Sequence, residues 1–362
     1  MRWGWIVGGT QMTALRPIGT TEIGKSVVGV YTVLGIANVA VWVWAFYLFN
    51  RHPLLLGTAL LAYGFGLRHA VDADHIAAID NVTRKLMQTG QRPVTVGFYF
   101  ALGHSTVVVL AALGIVATTS LLTSSFSAFQ SVGGIVATVV SASFLFLIAG
   151  INLVILHSVW ATYKHVRRGG AFDAMDFDLL LNKRGLLARF FRPLFKLISK
   201  SWHMYPLGFL FGLGFDTATE VALLGISATQ AAHGMSVWAI MVFPALFAAG
   251  MSLVDTTDGI MMMGAYHWAF VRPMRKLYYN LTITLVSVVI AVLIGGIEAL
   301  GLAASELHLS GWFWNAITAL NNNFNSLGFI IIGIFILAWV VSVVVYRYKK
   351  LEEFEVRASH AE

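Results

Sequence analysis

The residues best suited to chemistry in this chain are histidines and carboxylates that lie inside apolar segments. The densest group is His69-Ala-Val-Asp72-Ala-Asp74-His75. On a continuous helix at 100° per residue, His69, Asp72 and His75 fall within an arc of about 120°, and Asp74 points toward a neighbouring helix or a supporting partner. Two imidazoles and a carboxylate form a mixed donor set that suits first-row divalent metals better than Ca²⁺. The alternative is a buried polar network that holds helices together.

Three further polar groups are predicted within apolar segments. His104 is either a metal ligand or a donor that bridges helices. Asp216 and Glu220 are four residues apart, and Asp255 and Asp258 are three apart, so each pair shares a helix face. Carboxylates in a bilayer become neutral or bind a cation, so a permeating dication and proton coupling both fit. The candidate metal-site residues are His69, Asp72, Asp74, His75, His104, Asp216, Glu220, Asp255 and Asp258.

The elements that must position these residues are transmembrane helices. Of the 362 residues, 58% are hydrophobic and 11% are charged, whereas an average soluble domain has about 25% charged residues. Runs of about 20 apolar residues can cross a hydrocarbon layer of roughly 30 Å. We therefore predict an all-α polytopic integral membrane protein with about eight transmembrane helices. The predicted spans are Val28–Phe49, Leu54–Ile79, Val94–Ala117, Val132–Leu156, Pro206–Thr229, Val237–Met263, Tyr279–Leu302 and Leu327–Tyr346.

The basic residues predict the orientation of these spans. Of the 24 Lys and Arg residues, all except Arg51 and Arg68 fall on one side of the predicted membrane. The positive-inside rule places that side, with both termini, in the cytoplasm. We interpret the long basic loop as a topology determinant, rather than as a surface for nucleic acid or anionic lipid. The predicted organisation is a cytoplasmic N-terminal tail (1–27), helices one to four (28–156), a basic cytoplasmic loop (157–205), helices five to eight (206–346) and a cytoplasmic C-terminal tail (347–362).

The sequence also contains a faint internal repeat. Phe100-Ala-Leu-Gly-His-Ser is similar to Phe247-Ala-Ala-Gly-Met-Ser, 147 residues later, and Gly66-Leu recurs as Gly212-Leu at an offset of 146. A shift of three helices reverses the direction of the chain across the membrane. The pattern thus predicts an inverted-topology repeat, which in transporters brackets a site near the midplane. Chance matching of small residues in apolar helices is the alternative.

Composition and motifs exclude several other classes of site. The chain has no cysteine, so disulfides, thiolate metal sites and a Cys nucleophile are ruled out. Gly19-Thr-Thr-Glu-Ile-Gly-Lys-Ser26 fits the P-loop pattern. That loop needs a buried strand before it and a nucleotide-binding domain around it, whereas a membrane span follows here. We predict no nucleotide site and no enzymatic activity.

Taken together, the four polar segments resemble those of the nickel/cobalt transporter family (NiCoT). They are Arg68-His-Ala-Val-Asp-Ala-Asp-His-Ile76, Phe100-Ala-Leu-Gly-His-Ser-Thr-Val-Val108, Leu213-Gly-Phe-Asp-Thr-Ala-Thr-Glu220 and Gly250-Met-Ser-Leu-Val-Asp-Thr-Thr-Asp258. The resemblance implies secondary uptake of Ni²⁺ and/or Co²⁺ across a bacterial cytoplasmic membrane without ATP hydrolysis. It implies no resident cofactor, because the metal is the transported substrate. It also implies that His69, Asp72, Asp74 and His75 are central to metal recognition.

The predicted function is therefore a permease driven by the membrane potential or a proton gradient. An efflux transporter of the same superfamily is one alternative. An intramembrane hydrolase with paired aspartates or bound zinc is another, although the chain has no His-Glu-x-x-His pattern. The predicted partners are a divalent metal ion and the lipid bilayer, with no nucleic acid and no nucleotide. The pattern predicts no particular oligomeric state.

Overall fold

The structure is a computed structural model that describes residues 20–117, 123–167, 198–214, 218–270 and 273–348. In these ranges the secondary structure is helical and contains no strand, which confirms the all-α prediction. A short 3₁₀ turn, Ser201–His203, precedes the sixth α-helix. The α-helices are α1 (Thr20–Phe49), α2 (Pro53–His69), α3 (Ala73–Gln88), α4 (Val96–Ala117), α5 (Thr123–Arg167), α6 (Met204–Phe211), α7 (Ala218–Ala232), α8 (Val237–Ile240), α9 (Val242–Phe270), α10 (Pro273–Glu306), α11 (Trp312–Asn321) and α12 (Phe324–Tyr348).

The long apolar helices make this a multi-pass membrane protein, as predicted. Within the described residues, five helical segments are long and apolar enough to cross a membrane, and two bent helix pairs raise the number to seven if each pair is one span. The pairs are α2 with α3 and α11 with α12. The described residues do not confirm the predicted count of eight. The fifth predicted span, Pro206–Thr229, corresponds to the short helices α6 and α7, and residues 215–217 between them lie outside the described part.

The second predicted span, Leu54–Ile79, is not one continuous helix. α2 ends at His69, α3 begins at Ala73, and the two helices are bent by 53°. Asp72 precedes α3 in an extended conformation, with φ −66° and ψ 146°. Asp is favoured at the residue that precedes a helix and is disfavoured inside one.

Polar residues are concentrated in the most enclosed helix. From Ala73 to Leu86, every residue of α3 except Asp74 is buried, including several charged ones. The helix packs against α4, α5, α9, α10 and α12. α1 has the opposite character, because apolar side chains such as Val39 and Val43 are exposed. This arrangement is expected where lipid is the solvent and ionisable side chains face the interior.

Two helix crossings in the core are built in the same way. Where α2 crosses α9, a side chain at Gly66 would overlap the carbonyl of Phe247, and one at Gly250 would press on the carbonyl of Tyr63. The absence of side chains allows the two backbones to approach closely, as small residues do in membrane helix pairs.

The second crossing is between α4 and α6. A side chain at Gly208 would overlap the carbonyl of Phe100, and one at Gly103 would overlap the carbonyl of Tyr205. Again, aromatic and glycine residues three positions apart meet across an antiparallel helix pair.

These crossings support the internal repeat and correct its alignment. Phe100 and Gly103 recur as Phe247 and Gly250 at the predicted offset of 147, whereas Tyr63 and Gly66 recur as Tyr205 and Gly208 at an offset of 142. In this alignment α2 corresponds to α6 and α4 corresponds to α9. The α2–α9 crossing of one half therefore corresponds to the α6–α4 crossing of the other. The predicted match of Gly66 with Gly212 is therefore wrong by one helical turn. The inverted orientation of the two halves stays a prediction.

Candidate metal centre

The centre is built around the break between α2 and α3. The chain turns through Ala70 and Val71, and the backbone N–H of Asp72 donates to the carbonyl of His69 at 2.9 Å. The side chain of Asp72 makes no capping bond to α3. Its Oδ2 atom instead lies 3.1 Å from Nδ1 of His69. The break therefore turns a typical capping residue toward an imidazole.

His69 is buried and has contacts at both ring nitrogens. Besides Asp72, its Nδ1 has the Thr219 hydroxyl at 3.4 Å. On the other edge of the ring, Nε2 lies 3.0 Å from Nε2 of His104. An Nδ1–H bond to the carboxylate leaves the Nε2 lone pair directed toward His104.

His104, on α4, lies between His69 and a carboxylate. Its Nε2 is 2.8 Å from Oε1 of Glu220, which lies in the first turn of α7. The same oxygen is 3.8 Å from Nε2 of His69. Two imidazole nitrogens and one carboxylate oxygen, from three different helices, therefore converge on one region. All three side chains are buried.

The third imidazole is His75, in the first turn of α3. Its Nδ1 lies 3.3 Å from Oδ1 of Asp255 on α9, and its Nε2 has no hydrogen-bond partner among the described residues. One ligand atom from each of His69, His75 and His104 can be chosen so that all three lie within 4.8 Å of one another. We name His69, His75, His104 and Glu220 the histidine cluster.

Aromatic rings close the cluster on two sides. The ring of Phe100 lies edge-on to His75, with 4.8 Å between centroids. The ring of Phe247 lies against His69 at 5.5 Å. Both phenylalanines are fully buried, and both are the aromatic residues of the two glycine crossings. Their apolar walls lower the local dielectric constant, which strengthens electrostatic interactions inside the cluster.

The structure corrects the predicted arrangement of the polar segment from Arg68 to Ile76. On a continuous helix, the rotation of 100° per residue would place His69, Asp72 and His75 on one face. They converge because the chain bends between them. Asp74 lies in the first turn of α3, is partly exposed, and accepts a hydrogen bond from the backbone N–H of His75 at 2.9 Å.

The remaining predicted carboxylates take different positions. Asp255 contacts His75, as described above. Asp258 lies further along α9, and its Oδ2 atom has no hydrogen-bond partner among the described residues. Asp216 falls in the segment 215–217, outside the described residues. Metal binding by each of these residues stays a prediction.

Sequence reasoning missed the roles of Thr219 and the aromatic walls. Thr219 belongs to the same short segment as Glu220, so its place beside the predicted carboxylate was the available signal. Phe100 and Phe247 had a stronger signal, because they are matched residues of the internal repeat. Their contact with histidines could not be read from the sequence, since it depends on the helix crossings.

The cluster has the donor types and spacing of a metal site. Metal–ligand bonds of about 2.0–2.1 Å separate two ligand atoms at right angles by about 2.9 Å. The His69–His104 distance of 3.0 Å and the His104–Glu220 distance of 2.8 Å match that separation. In the absence of metal, a single proton shared among these atoms can maintain the same contacts as hydrogen bonds.

Comparison with known proteins gives a consistent result over almost the whole chain. A family model described as high-affinity nickel-transport protein (NicO) matches residues 55–345. A high-affinity nickel transport protein of Cupriavidus necator is 60% identical, over 96% of this chain and 99% of that protein. The nickel transporter NixA of Staphylococcus aureus is 48% identical, over 83% and 88%. The cobalt transport protein NhlF of Rhodococcus rhodochrous is 41% identical, over 87% and 89%. No solved structure matches this chain.

Proposed function

The chain belongs to the NicO family of high-affinity nickel-transport proteins, and we propose that it takes up Ni²⁺ and/or Co²⁺ across a bacterial cytoplasmic membrane. The family and the relatives named above are transporters, so the metal ion is their substrate and not a cofactor. Uptake as the direction of transport, cobalt as a second substrate and the driving force are parts of the proposal.

The observation that carries this proposal is the convergence of His69, His104 and Glu220 at contact distances inside the helix bundle. Nitrogen and oxygen donors without any thiolate suit divalent nickel and cobalt, and they do not favour Cu⁺. Selectivity against copper and zinc then depends on geometry and ligand number, because intrinsic affinities alone favour copper over nickel.

Two carboxylates have a supporting role in this proposal. Asp72 beside Nδ1 of His69, and Asp255 beside Nδ1 of His75, would each hold a proton on that nitrogen. Each histidine then presents an unprotonated Nε2 to the metal, an arrangement common in metal sites. We thus assign Asp72 and Asp255 to orienting the imidazoles, and His69, His75, His104 and Glu220 to direct binding. Asp74, Asp216 and Asp258 stay candidate participants.

The driving force follows from charge and protonation. Two positive charges crossing an inside-negative membrane gain about 4.6 kcal/mol per 100 mV, equivalent to a concentration ratio of about 10³. Uptake therefore needs no ATP. Imidazoles also release protons when they bind metal, so a proton gradient is a second source of energy.

The orientation in the membrane rests on the basic residues. We propose that both termini and the basic loop are cytoplasmic, because this places nearly all Lys and Arg residues on that side. The cluster would then be reached from the outer side and emptied toward the cytoplasm.

Purified protein in liposomes provides the test. With an inside-negative potassium diffusion potential, we expect the liposomes to accumulate ⁶³Ni²⁺ and ⁵⁷Co²⁺, and His69→Ala to abolish the high-affinity component. Glu298→Gln is a matched control, because Glu298 is a buried carboxylate that accepts a hydrogen bond from Ser141, away from the cluster. If the wild-type protein passes neither ion under voltage, the proposal is wrong.

Direction is decided separately in whole cells. Expression of an uptake protein raises cellular nickel at submicromolar external concentration, whereas expression of an efflux protein lowers it. A decrease that depends on His69 would replace uptake with efflux and leave metal transport in place.

A further inference from the structure

A second group of buried polar residues lies further along α3 and α9 than the histidine cluster. Asp80 is five residues beyond His75 on α3, or about 7 Å at 1.5 Å per residue. Asp258 is three residues beyond Asp255 on α9. We name Asp80, Asp258 and Arg84 the inner cluster. Asp80 and Arg84 are four residues apart on α3, and both are buried.

Asp80 is held by hydroxyl groups from two other helices. The Tyr266 hydroxyl on α9 donates to its Oδ1, and the Ser287 hydroxyl on α10 donates to its Oδ2 at 2.9 Å. Two neutral donors fix the carboxylate without neutralising its charge. They leave it free to interact with a cation that arrives between α3 and α9.

Asp258 lies at that interface and has an oxygen atom that can still bind a ligand. Its neighbour Gly259 lies against Ile79, the neighbour of Asp80, and the carboxylate of Asp258 is within electrostatic range of those of Asp80 and Asp255. Its Oδ2 is buried and has no hydrogen-bond partner among the described residues. Asp255 and Asp258 on α9, together with Asp80 on α3, therefore continue the carboxylates beyond His75 along the interface of these two helices.

Thr83 provides an independent observation at the same interface. It is fully buried, and its hydroxyl has no hydrogen-bond partner among the described residues. It faces Gly259, the neighbour of Asp258, with Oγ1 3.9 Å from the position that a side-chain carbon of Gly259 would occupy. A buried hydroxyl without a partner costs free energy unless it binds something.

Arg84 supplies a fixed positive charge beside these groups. It is 1% exposed, and its hydrogen bonds go to neutral oxygens: Thr284 Oγ1 at 2.7 Å and Asn81 Oδ1 at 3.0 Å. Asn152 on α5 donates to the same Asn81 oxygen at 2.7 Å. The guanidinium is thus held in place by neutral residues, within electrostatic range of Asp80.

We propose that Asp80, Asp258 and the hydroxyl of Thr83 form a second binding site for the transported dication, and that Arg84 is its permanent counter-charge. This inference rests on the proposed transport function and deepens it. The site has oxygen donors only, so it takes the ion with part of its hydration shell, whereas the imidazoles of the histidine cluster take it more tightly.

The counter-charge explains how an ion can leave. Two carboxylates attract a dication from the histidine cluster, and the guanidinium repels it, so the second site binds weakly. Conduction needs such a site, strong enough to accept the ion and weak enough to release it. Arg84 also compensates the carboxylates while no ion is present, which an acidic pair inside the bundle requires.

Equilibrium binding of ⁶³Ni²⁺ to the purified full chain tests this site. We expect two ions per wild-type chain, one tight and one at least tenfold weaker. Asp258→Asn should remove the weak ion, change the affinity of the tight one by less than about twofold, and slow flux into liposomes at least tenfold. Because Oδ2 of Asp258 has no partner among the described residues, this isosteric change should not disturb folding. Glu298→Gln is the matched control and should bind two ions.

Two further variants separate a binding site from a structural network. Thr83→Val removes a hydroxyl that has no partner among the described residues. It should lower the affinity for the second ion several-fold without changing the affinity for the first. Arg84→Gln keeps hydrogen-bonding capacity toward Asn81 and Thr284 but removes the charge. This variant should raise the affinity for the second ion at least tenfold and slow the release of that ion. A purely structural network predicts that neither variant has a separate effect on the second ion.

The outcomes also distinguish this inference from the proposed function. A wild-type chain that transports nickel but binds a single ion would overturn the second site and leave transport intact. Loss of both ions in Asp258→Asn, or weaker binding of the second ion in Arg84→Gln, would also overturn it. Absence of any nickel flux in the wild type would contradict the proposed function itself.

Discussion

The histidine cluster and the inner cluster both lie inside the helix bundle, but they satisfy their polar groups in different ways. In the first, imidazoles and Glu220 face one another, and Nε2 of His75 is left without a partner among the described residues. In the second, Asp80 and Arg84 are fixed by hydroxyls and an amide from α9, α10 and α3 itself. The donor atoms left for an ion therefore differ: a ring nitrogen of His75 in the first cluster, and oxygens of Asp258 and Thr83 at the second. The distinguishing feature is how many donor atoms the protein leaves for something else.

The largest effect is expected in the histidine cluster. His104→Ala removes the nitrogen that lies 3.0 Å from His69 and 2.8 Å from Glu220. Because this atom is the centre of the convergence, we expect the affinity for Ni²⁺ to fall at least about 100-fold, comparable to the loss of a direct ligand. Equilibrium binding to purified protein measures it. An unchanged affinity would remove His104 from the site and would favour its other predicted role as a helix-bridging donor.

A smaller loss is expected from Asp72→Asn. The change keeps the shape of the side chain but removes the charge 3.1 Å from Nδ1 of His69. The imidazole would still be present but less well oriented, and supporting residues of this kind typically contribute 10- to 100-fold to metal affinity. Nickel titration by calorimetry, with Asp74→Asn as the adjacent control, measures the effect. If Asp74→Asn has the larger effect, the assignment of Asp72 is wrong.

Most of the fold class could be predicted from composition, and the location of the break could not. Apolar runs of about 20 residues separated by basic segments indicate helices in a membrane, because a helix satisfies all its backbone hydrogen bonds within one such run. The interruption at Ala70 to Asp72 depends on tertiary contacts, such as the close approach of Gly328 on α12 to the carbonyl of Val71. Hydropathy does not contain that information.

The composition of the candidate site was predicted better than its geometry. Ionisable residues are expensive in a bilayer, so their positions in the sequence drew attention to His69, His75, His104, Glu220 and Asp255. A helical-face argument cannot show which atoms meet, because these residues come from five helices. In the same way, the spacing of Asp80 and Arg84 on α3 does not show that each hydrogen-bonds to a hydroxyl group on another helix.

In the inner cluster, loss of a hydrogen bond is expected to affect stability more than nickel binding. Tyr266→Phe removes the hydroxyl that donates to Asp80 and leaves that carboxylate oxygen buried. An unsatisfied buried group costs about 1–3 kcal/mol, so the free energy of unfolding should fall by that amount. Thermal unfolding in detergent should show the loss, while the tight nickel ion binds within about threefold of wild type. A large loss of tight binding would show that the two clusters are not separate.

The smallest effect is expected at a buried carboxylate that belongs to neither cluster. Glu298 on α10 is 5% exposed, and its Oε1 accepts a hydrogen bond from Ser141 on α5 at 2.9 Å. Glu298→Gln preserves an oxygen in that position, so nickel flux and tight binding should stay within about twofold of wild type. Burial in a bilayer is as unfavourable for this carboxylate as for Asp258. A tenfold loss of flux would therefore mean that any buried charge supports transport through the fold, and the contrast between the two clusters would lose its meaning.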